Sequence, residues 1–223
     1  MTRSSVFDLI GPIMVGPSSS HTAGAVRIGA MARKICGGEP IKAEITLHGS
    51  FAETGKGHGT NLALVGGILG MRTDDEDIPR AFEIAQERGL EYHFYTTDLG
   101  DVHPNTAQIL LTNDQGESVR IIGSSIGGGR IMIQEINEFE VSIMGDYHTL
   151  VVLQRDLPGV VAQVTSIIAA TQINIAQMRV SREKKGAQAL MVIEMDQEID
   201  AAALQLIRKL PAVRQAMTVQ PLE

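Results

Sequence analysis

The sequence predicts an α+β chain in two parts, and three observations carry that prediction. Ile41, Ala43, Ile45 and Leu47 alternate with Lys42, Glu44, Thr46 and His48, the period-two pattern of a half-buried strand. Residues 1–147 mix such strands with apolar helical runs and glycine-rich loops, the pattern of a mixed α/β domain. Residues 148–223 are more regular and run strand, helix, strand, strand, helix, strand.

In the first part, His21 to Ile35 reads as a helix. Ala23, Val26, Ala30 and Met31 share an apolar side, Arg27 and Lys34 share another, and Gly37-Gly38 stops it. The strand at 41–47 follows. Gly49 to Thr60 reads as a loop, because glycine recurs at 49, 55, 57 and 59. Asn61 to Leu69 resumes as an apolar helix. An acidic stretch, Asp74 to Asp77, precedes an amphipathic helix from Ile78 to Arg88. Strands follow at Glu91–Thr96, Thr106–Thr112, Ser118–Ile122 and Arg130–Glu135. Asn113 to Gly116 is a hairpin turn signal, and Gly127-Gly128-Gly129 is an irregular connection.

In the second part, Thr149 to Gln154 is a strand, and Asp156-Leu157-Pro158-Gly159 is a turn that opens a helix to about Ala170. Asn174 to Ser181 and Ala187 to Met195 are strands joined by a hairpin at Lys184-Lys185-Gly186. Ala201 to Leu210 is a helix, and Val213 to Val219 closes the pattern. This β-α-β-β-α-β order is the ferredoxin-like arrangement.

Composition narrows the class. The 223 residues allow one large domain or two ordinary ones, and 43% hydrophobic against 20% charged residues is the balance of a folded domain. A net charge of −7 argues against a broad nucleic-acid surface. No apolar run reaches the roughly 20 residues of a membrane span. Asp8 and Pro12 interrupt the apolar N-terminal patch, which does not read as a signal peptide. Cys36 is the only cysteine, so there is no disulfide framework, and the expected location is the cytoplasm. One thiol cannot hold an iron–sulfur cluster, which takes several. Cys36 lies in a helical run and reads as a small core residue.

Four segments hold candidate chemistry. Pro17-Ser18-Ser19-Ser20-His21-Thr22-Ala23-Gly24 places hydroxyls and an imidazole at the mouth of a helix. Free N–H groups and the helix dipole suit that place to a carboxylate or phosphate, although one hydroxyl alone serves as a cap. Gly55-Lys56-Gly57-His58-Gly59-Thr60 also leads into an apolar helix and also carries a histidine. It lacks the Gly-Lys-Ser/Thr order of a nucleotide loop. Two such mouths can converge on one small anion, with histidine suited to proton transfer near neutral pH. In Asp101-Val102-His103-Pro104-Asn105, His103 belongs to that site or simply precedes a turn. Asp156-Leu157-Pro158-Gly159 offers free N–H groups to an amino-acid carboxylate, or is a turn alone. Ser124 to Gly129 lacks the full spacing of a dinucleotide fingerprint. His48, His93 and His148 fall on strands and read as structural, and no close histidine pair of zinc spacing occurs, so no metal ligand is assigned.

Gly16-Pro17-Ser18-Ser19-Ser20-His21-Thr22, Gly57-His58-Gly59-Thr60, His103-Pro104-Asn105-Thr106 and Ser125-Ile126-Gly127-Gly128-Gly129 resemble, in that order, the β chain of bacterial iron–sulfur-dependent L-serine dehydratase, or L-serine ammonia-lyase. The resemblance covers essentially the whole chain. Its first part (1–147) is similar to the anion- or serine-binding domain of some phosphoglycerate dehydrogenases, and its second part (148–223) to an ACT domain. The resemblance implies a partner α subunit carrying the cysteines of a [4Fe–4S] cluster, whose open iron acts as Lewis acid on the serine hydroxyl. It implies a catalytic role for His58 and His21, and substrate contacts from Ser18, Ser19, Ser20, Thr22, Gly57, Gly59, Thr60, His103 and Asn105. Which histidine is the base stays open, with the glycines around His58 favouring it. It further implies dimerisation through the ACT-like domain and an effector site near Asp156, Gly159 and Asn174. The competing reading is a non-enzymatic amino-acid sensor. A phosphate-handling enzyme is disfavoured, because no acidic cluster for Mg²⁺ adjoins the helix mouths in sequence.

Overall fold

A computed structural model describes residues 12–222. The N-terminal apolar patch up to Ile10 lies outside the described residues. By contacts the chain divides into two compact units. One comprises the residues up to 138 with 142–144 and 222, and the other comprises 139–141 with 145–221.

The first unit opens with a π-helical turn, Ser19–Ala23, which runs directly into α1 (Gly24–Cys36). Then come β1 (Pro40–His48), α2 (Gly49–His58), α3 (Thr60–Ile68), a 3₁₀ turn (Ile78–Arg80) and α4 (Ala81–Glu87). Four strands follow within it, β2 (Glu91–Thr96), β3 (Thr106–Asn113), β4 (Ser118–Gly127) and β5 (Arg130–Ile136), and a fifth, β6 (Phe139–Ile143), is divided between the two units. They form one sheet in the order β2-β1-β3-β4-β5-β6. The β1–β2 pair is parallel, and β3 and β4 continue antiparallel from β1. The register sets Ala43 opposite Leu111 and Ile45 opposite Ile109, all fully buried, so the alternation read in the sequence is the core side of the sheet. Ile28, Met31 and Ile35 of α1 are buried with them. Phe82 of α4 stacks on Tyr92 of β2, ring centroids 5.0 Å apart.

Two expectations fail here. Residues 49–58 are helical, not a loop. Phe51 is fully buried, and Gly49, at φ +52°, allows the Pro104 carbonyl to approach where a Cβ would stand only 2.7 Å from it. Tertiary anchoring therefore overrides the low helix propensity of a glycine-rich segment. Strand β6 has no counterpart in the sequence reading. It follows a two-residue turn, Asn137-Glu138, with both φ positive (47° and 72°), a primed hairpin turn made without glycine. Gly128-Gly129, read as irregular, is the same kind of turn between β4 and β5, with φ of 62° and 76°.

Helices α1 and α3 cross backbone on backbone. A Cβ on Gly29 would overlap the Leu64 carbonyl, and one on Gly67 would overlap the Val26 carbonyl. Glycine is required at both positions by close approach, not by dihedral angle.

The second unit is β7 (His148–Arg155), α5 (Val160–Ala170), β8 (Ile175–Arg182), β9 (Gln188–Met195), α6 (Ala201–Arg208) and β10 (Val213–Val219). The antiparallel sheet has the order β10-β7-β9-β8, with β8 at one edge, which is the ferredoxin-like topology. Leu150, Val152, Met191 and Ile193 form its core with Val160, Val164 and Ile168 of α5 and Ala203 and Ile207 of α6.

Two glycines with opposite surroundings test this packing. Gly67→Ala is expected to lower unfolding free energy by roughly 1–3 kcal/mol through overpacking. Gly57→Ala, in a helical conformation with nothing within 4 Å of the added Cβ, is expected to raise it by roughly 0.5–1 kcal/mol. Denaturant melts of the two variants read the difference, and equal effects would contradict the crossing.

Candidate functional site

Ser18 ends an extended segment (φ −138°, ψ 122°), and its hydroxyl accepts from the His21 N–H at 3.2 Å. Its carbonyl accepts from the Thr22 N–H at 2.8 Å. Of the three serines, Ser18 is therefore the helix cap. The Gly24 N–H reaches back five residues to the Ser19 carbonyl, closing the π turn. That turn carries His21 toward α2. Thr22 is buried, and its hydroxyl donates to the His58 carbonyl at 3.4 Å, so it ties the two motif segments together and is turned away from solvent. Ser19 and Ser20 are half-buried beside it.

His21 is held on three sides. Its Nε2 lies 3.0 Å from Ser50 Oγ and 3.1 Å from Thr54 Oγ1, and its Nδ1 lies 3.4 Å from Ser18 Oγ. Its ring sits edge-on to Phe51, centroids 5.4 Å apart, and 5.0 Å from the ring of His58. Burial, followed by repulsion from His58, holds its pKa below the ordinary histidine value, and a hydrogen bond to the Ser50 backbone offsets part of this. His21 is thus a neutral imidazole at pH 7.

His58 occupies the last position of α2, exposed to solvent. Its Nδ1 lies 3.3 Å from the Thr54 carbonyl. A carbonyl only accepts, so Nδ1 carries the proton, and Nε2 keeps the lone pair. Gly59, at φ +71°, ends α2 and begins α3, with its carbonyl accepting from Ala63 N–H. Gly57 and Gly59 therefore lie at a helix-to-helix corner, where the sequence reading had a loop before one helix mouth. Thr60 is fully buried at the start of α3, its hydroxyl without a partner among the described residues. Ser125 Oγ is likewise buried and unpartnered, pressed against Gly24, where a Cβ would overlap it. The Lys56 side chain lies outside the described part.

His103 and Asn105 form a turn at the N-terminal end of α2. His103 Nδ1 accepts from the Asn105 N–H at 3.1 Å, which places the ring proton on Nε2. The Pro104 carbonyl accepts from Phe51 N–H at 3.4 Å, and the Asn105 carbonyl from Ser125 N–H at 2.9 Å. The turn is thereby fixed to α2 and β4, but no hydrogen bond joins the His103 or Asn105 side chain to either imidazole among the described residues.

The structure thus gathers Ser18, His21, Thr22 and His58 and adds Ser50 and Thr54, which sequence reasoning missed. The signal was present: Ser50, Thr54 and His58 are four residues apart, one face of a helix, and reading the segment as a loop concealed it.

Cys36 is buried, its thiol within 3.5 Å of the Leu111 carbonyl, and burial pushes its pKa up to about 11. Such a thiol is a poor metal ligand. Among the described residues, no three His, Cys, Asp or Glu side chains are grouped to hold a metal ion. A cluster therefore does not fit the donors of this chain.

In the second unit, the Asp156 carboxylate accepts from Gly186 N–H at 3.2 Å and Arg182 Nη1 at 3.1 Å. These bonds, the backbone one foremost, hold its pKa below the usual carboxylate range and fasten the β8–β9 hairpin. Gly159, at φ +87°, begins α5 with no side-chain cap. Asn174 donates to Asp196 at 2.9 Å, at the other end of the eight-residue strand β8. A strand of that length separates it from Asp156 by about 25 Å. The three effector candidates therefore do not share one pocket within the unit.

Comparison with known proteins now identifies the family. The family model described as serine dehydratase beta chain matches residues 5–136, and the ACT domain model matches residues 148–212. The probable L-serine dehydratase beta chain of Bacillus subtilis is 46% identical over 98% of this chain and 99% of its own length. The L-serine dehydratase beta chain of Peptoniphilus asaccharolyticus is 44% identical over 89% of this chain and 90% of its own. D-3-phosphoglycerate dehydrogenase of Synechocystis sp. is 26% identical over 88% of this chain, which corresponds to 35% of that longer protein. With an imidazole pair assembled from the two most distinctive motifs and these matches across nearly its full length, the chain belongs to the serine dehydratase beta chain family, with an ACT domain at residues 148–212.

Proposed function

We propose that this chain is the β subunit of an L-serine dehydratase that converts L-serine to pyruvate and ammonia, with residues 1–147 forming the substrate domain and 148–223 the ACT domain. The observation that carries the reading is the pairing of His21 and His58 at 5.0 Å, with His58 exposed and its Nδ1 bound to the Thr54 carbonyl, which leaves the lone pair on Nε2. His58 Nε2 is the proton acceptor for the serine α-carbon. His21, neutral and hydrogen-bonded on both nitrogens, orders the floor of the site. The Ser19 and Ser20 hydroxyls, the His103 Nε2–H and the Asn105 amide bind the substrate carboxylate and ammonium, with Ser18, Thr22, Gly57, Gly59 and Thr60 shaping the backbone that receives them. Removing the α-proton and the β-hydroxyl leaves an enamine, whose imine tautomer takes up water to release pyruvate and ammonia.

The buried Cys36 and, among the described residues, the lack of grouped metal ligands support a [4Fe–4S] cluster ligated by a separate α chain. The names of the two bacterial relatives, each a beta chain, support that partner. The single cysteine supports a cytoplasmic location, and no helix of the described residues is long and apolar enough to cross a membrane. The edge strand β8 exposes Met178 and Val180, 41% and 38% accessible, which supports pairing with a second copy through the ACT domain.

The purified chain alone is expected to show no dehydratase activity, and to gain it under anaerobic conditions with iron and a cysteine-bearing α chain. In the reconstituted enzyme, His58→Ala is expected to lower kcat by about 10²–10⁴-fold, the usual contribution of a general base. Full activity of both His21→Ala and His58→Ala would overturn the site assignment.

The neutral state of His21 has a consequence for stability. Its pKa is lowered from 6.5 in the folded chain, so the unfolded chain binds more protons once pH falls through 6.5. Stability is therefore expected to fall as pH drops below that value, and His21→Asn is expected to flatten this part of the curve. Identical pH dependence of melting in the two proteins would contradict a desolvated His21.

A further inference from the structure

We propose that Thr54, with Ser50, is the positioning residue that fixes the tautomers of both imidazoles, an inference that rests on the site reading above. Among the described residues, Thr54 is the one with a hydrogen bond to each ring: its hydroxyl lies 3.1 Å from His21 Nε2, and its carbonyl lies 3.3 Å from His58 Nδ1. The protons can be counted. The Thr54 hydroxyl has one proton, and it donates this to the Ser50 carbonyl at 2.8 Å, an atom that can only accept. Toward His21, the Thr54 oxygen therefore accepts, and Nε2 of His21 carries the ring proton. Ser50 Oγ, 3.0 Å from the same nitrogen, shares it as a second acceptor. Nδ1 of His21 is then a lone pair, and Ser18 Oγ at 3.4 Å supplies a hydroxyl proton to it while accepting from the His21 N–H. Every contact around the ring is satisfied in this tautomer. In the opposite one, the Thr54 oxygen and the His21 Nε2 lone pair face each other at 3.1 Å without a proton between them, unless Thr54 abandons the Ser50 carbonyl.

The same residue settles His58, because its carbonyl accepts the Nδ1 proton and leaves Nε2 as the base. The bond that the Thr54 side chain makes to the Ser50 carbonyl runs along α2 and anchors the clamp to the helix itself. A residue on one helical turn thus sets which nitrogen is basic in one histidine and which is a donor in the other. In the exposed ring this leaves the lone pair on Nε2, and in the half-buried ring it directs the proton toward Thr54 and Ser50.

The test uses the full chain without its partner first. ¹⁵N NMR of the histidine rings distinguishes a protonated from a lone-pair nitrogen. Wild type is expected to show Nε2–H for His21 and Nδ1–H for His58 above their titration. Thr54→Val, close in shape but without the hydroxyl, is expected to convert His21 to a mixture of tautomers, with His58 retained by the backbone carbonyl. Thr54→Ser keeps the hydroxyl and is expected to restore the wild-type pattern, and it serves as the folded control. In enzyme reconstituted with the α chain, Thr54→Val is expected to lower kcat by about 10–100-fold, with KM changed much less and Thr54→Ser restoring it. Unchanged His21 tautomers in Thr54→Val would overturn the clamp regardless of activity. Altered tautomers with full activity would overturn its part in the reaction and, with it, the placement of His21 in the site.

Discussion

The contact on which the first unit depends is the crossing of α1 and α3 at Gly29 and Gly67. Each helix follows one of the two distinctive motifs: the serine-histidine segment precedes α1, and the Gly-His-Gly corner precedes α3. Because the backbones meet with no side chain between them, the two starts are drawn close enough for the Thr22 hydroxyl to reach the His58 carbonyl. Gly24 adds a second close approach, where α1 begins against Ser125 of β4. Interiors packed at this density do not deform continuously, so the relative position of the two histidines is set by helix geometry rather than by loop conformation.

From that constraint the chemistry follows in two steps. Burial and the neighbouring ring keep His21 uncharged, so its nitrogens act as one donor and one acceptor within a hydroxyl cage. His58 is left at the surface, its Nδ1 bound to the Thr54 carbonyl, next to glycines that take up little room. In the proposed function this is half of a site, with a base and polar contacts, while the chain's only thiol is locked in the core. The family to which the chain belongs is named for a beta chain, and that name supports the proposed partner.

Much of this was legible in the residues, and the parts that were not have physical reasons. Alternation along β1 and the β-α-β-β-α-β order of the second unit were readable because one face of each element is buried. Helix α2 was not, because propensity penalises its glycines while the anchors that form it, Phe51 and the Pro104 carbonyl, act over long sequence separations. Ser50 and Thr54 were hidden by the same misreading. The Asn137-Glu138 turn escaped notice because the usual glycine signal is absent. The two motif histidines, singled out from separate segments, lie side by side, but no sequence pattern could show that Ser18 serves as the cap, that Thr22 faces a backbone carbonyl, or that Asn174 and Asp156 lie at opposite ends of a strand.

The central claim is that the two motif segments meet as one imidazole pair. The most direct measurement is the NMR titration of His21 in the wild-type chain and in His58→Asn. The account predicts that His21 titrates below 6.5 in the wild type and moves upward when the neighbouring imidazole is removed. A His21 that titrates at its ordinary value in both proteins would contradict it.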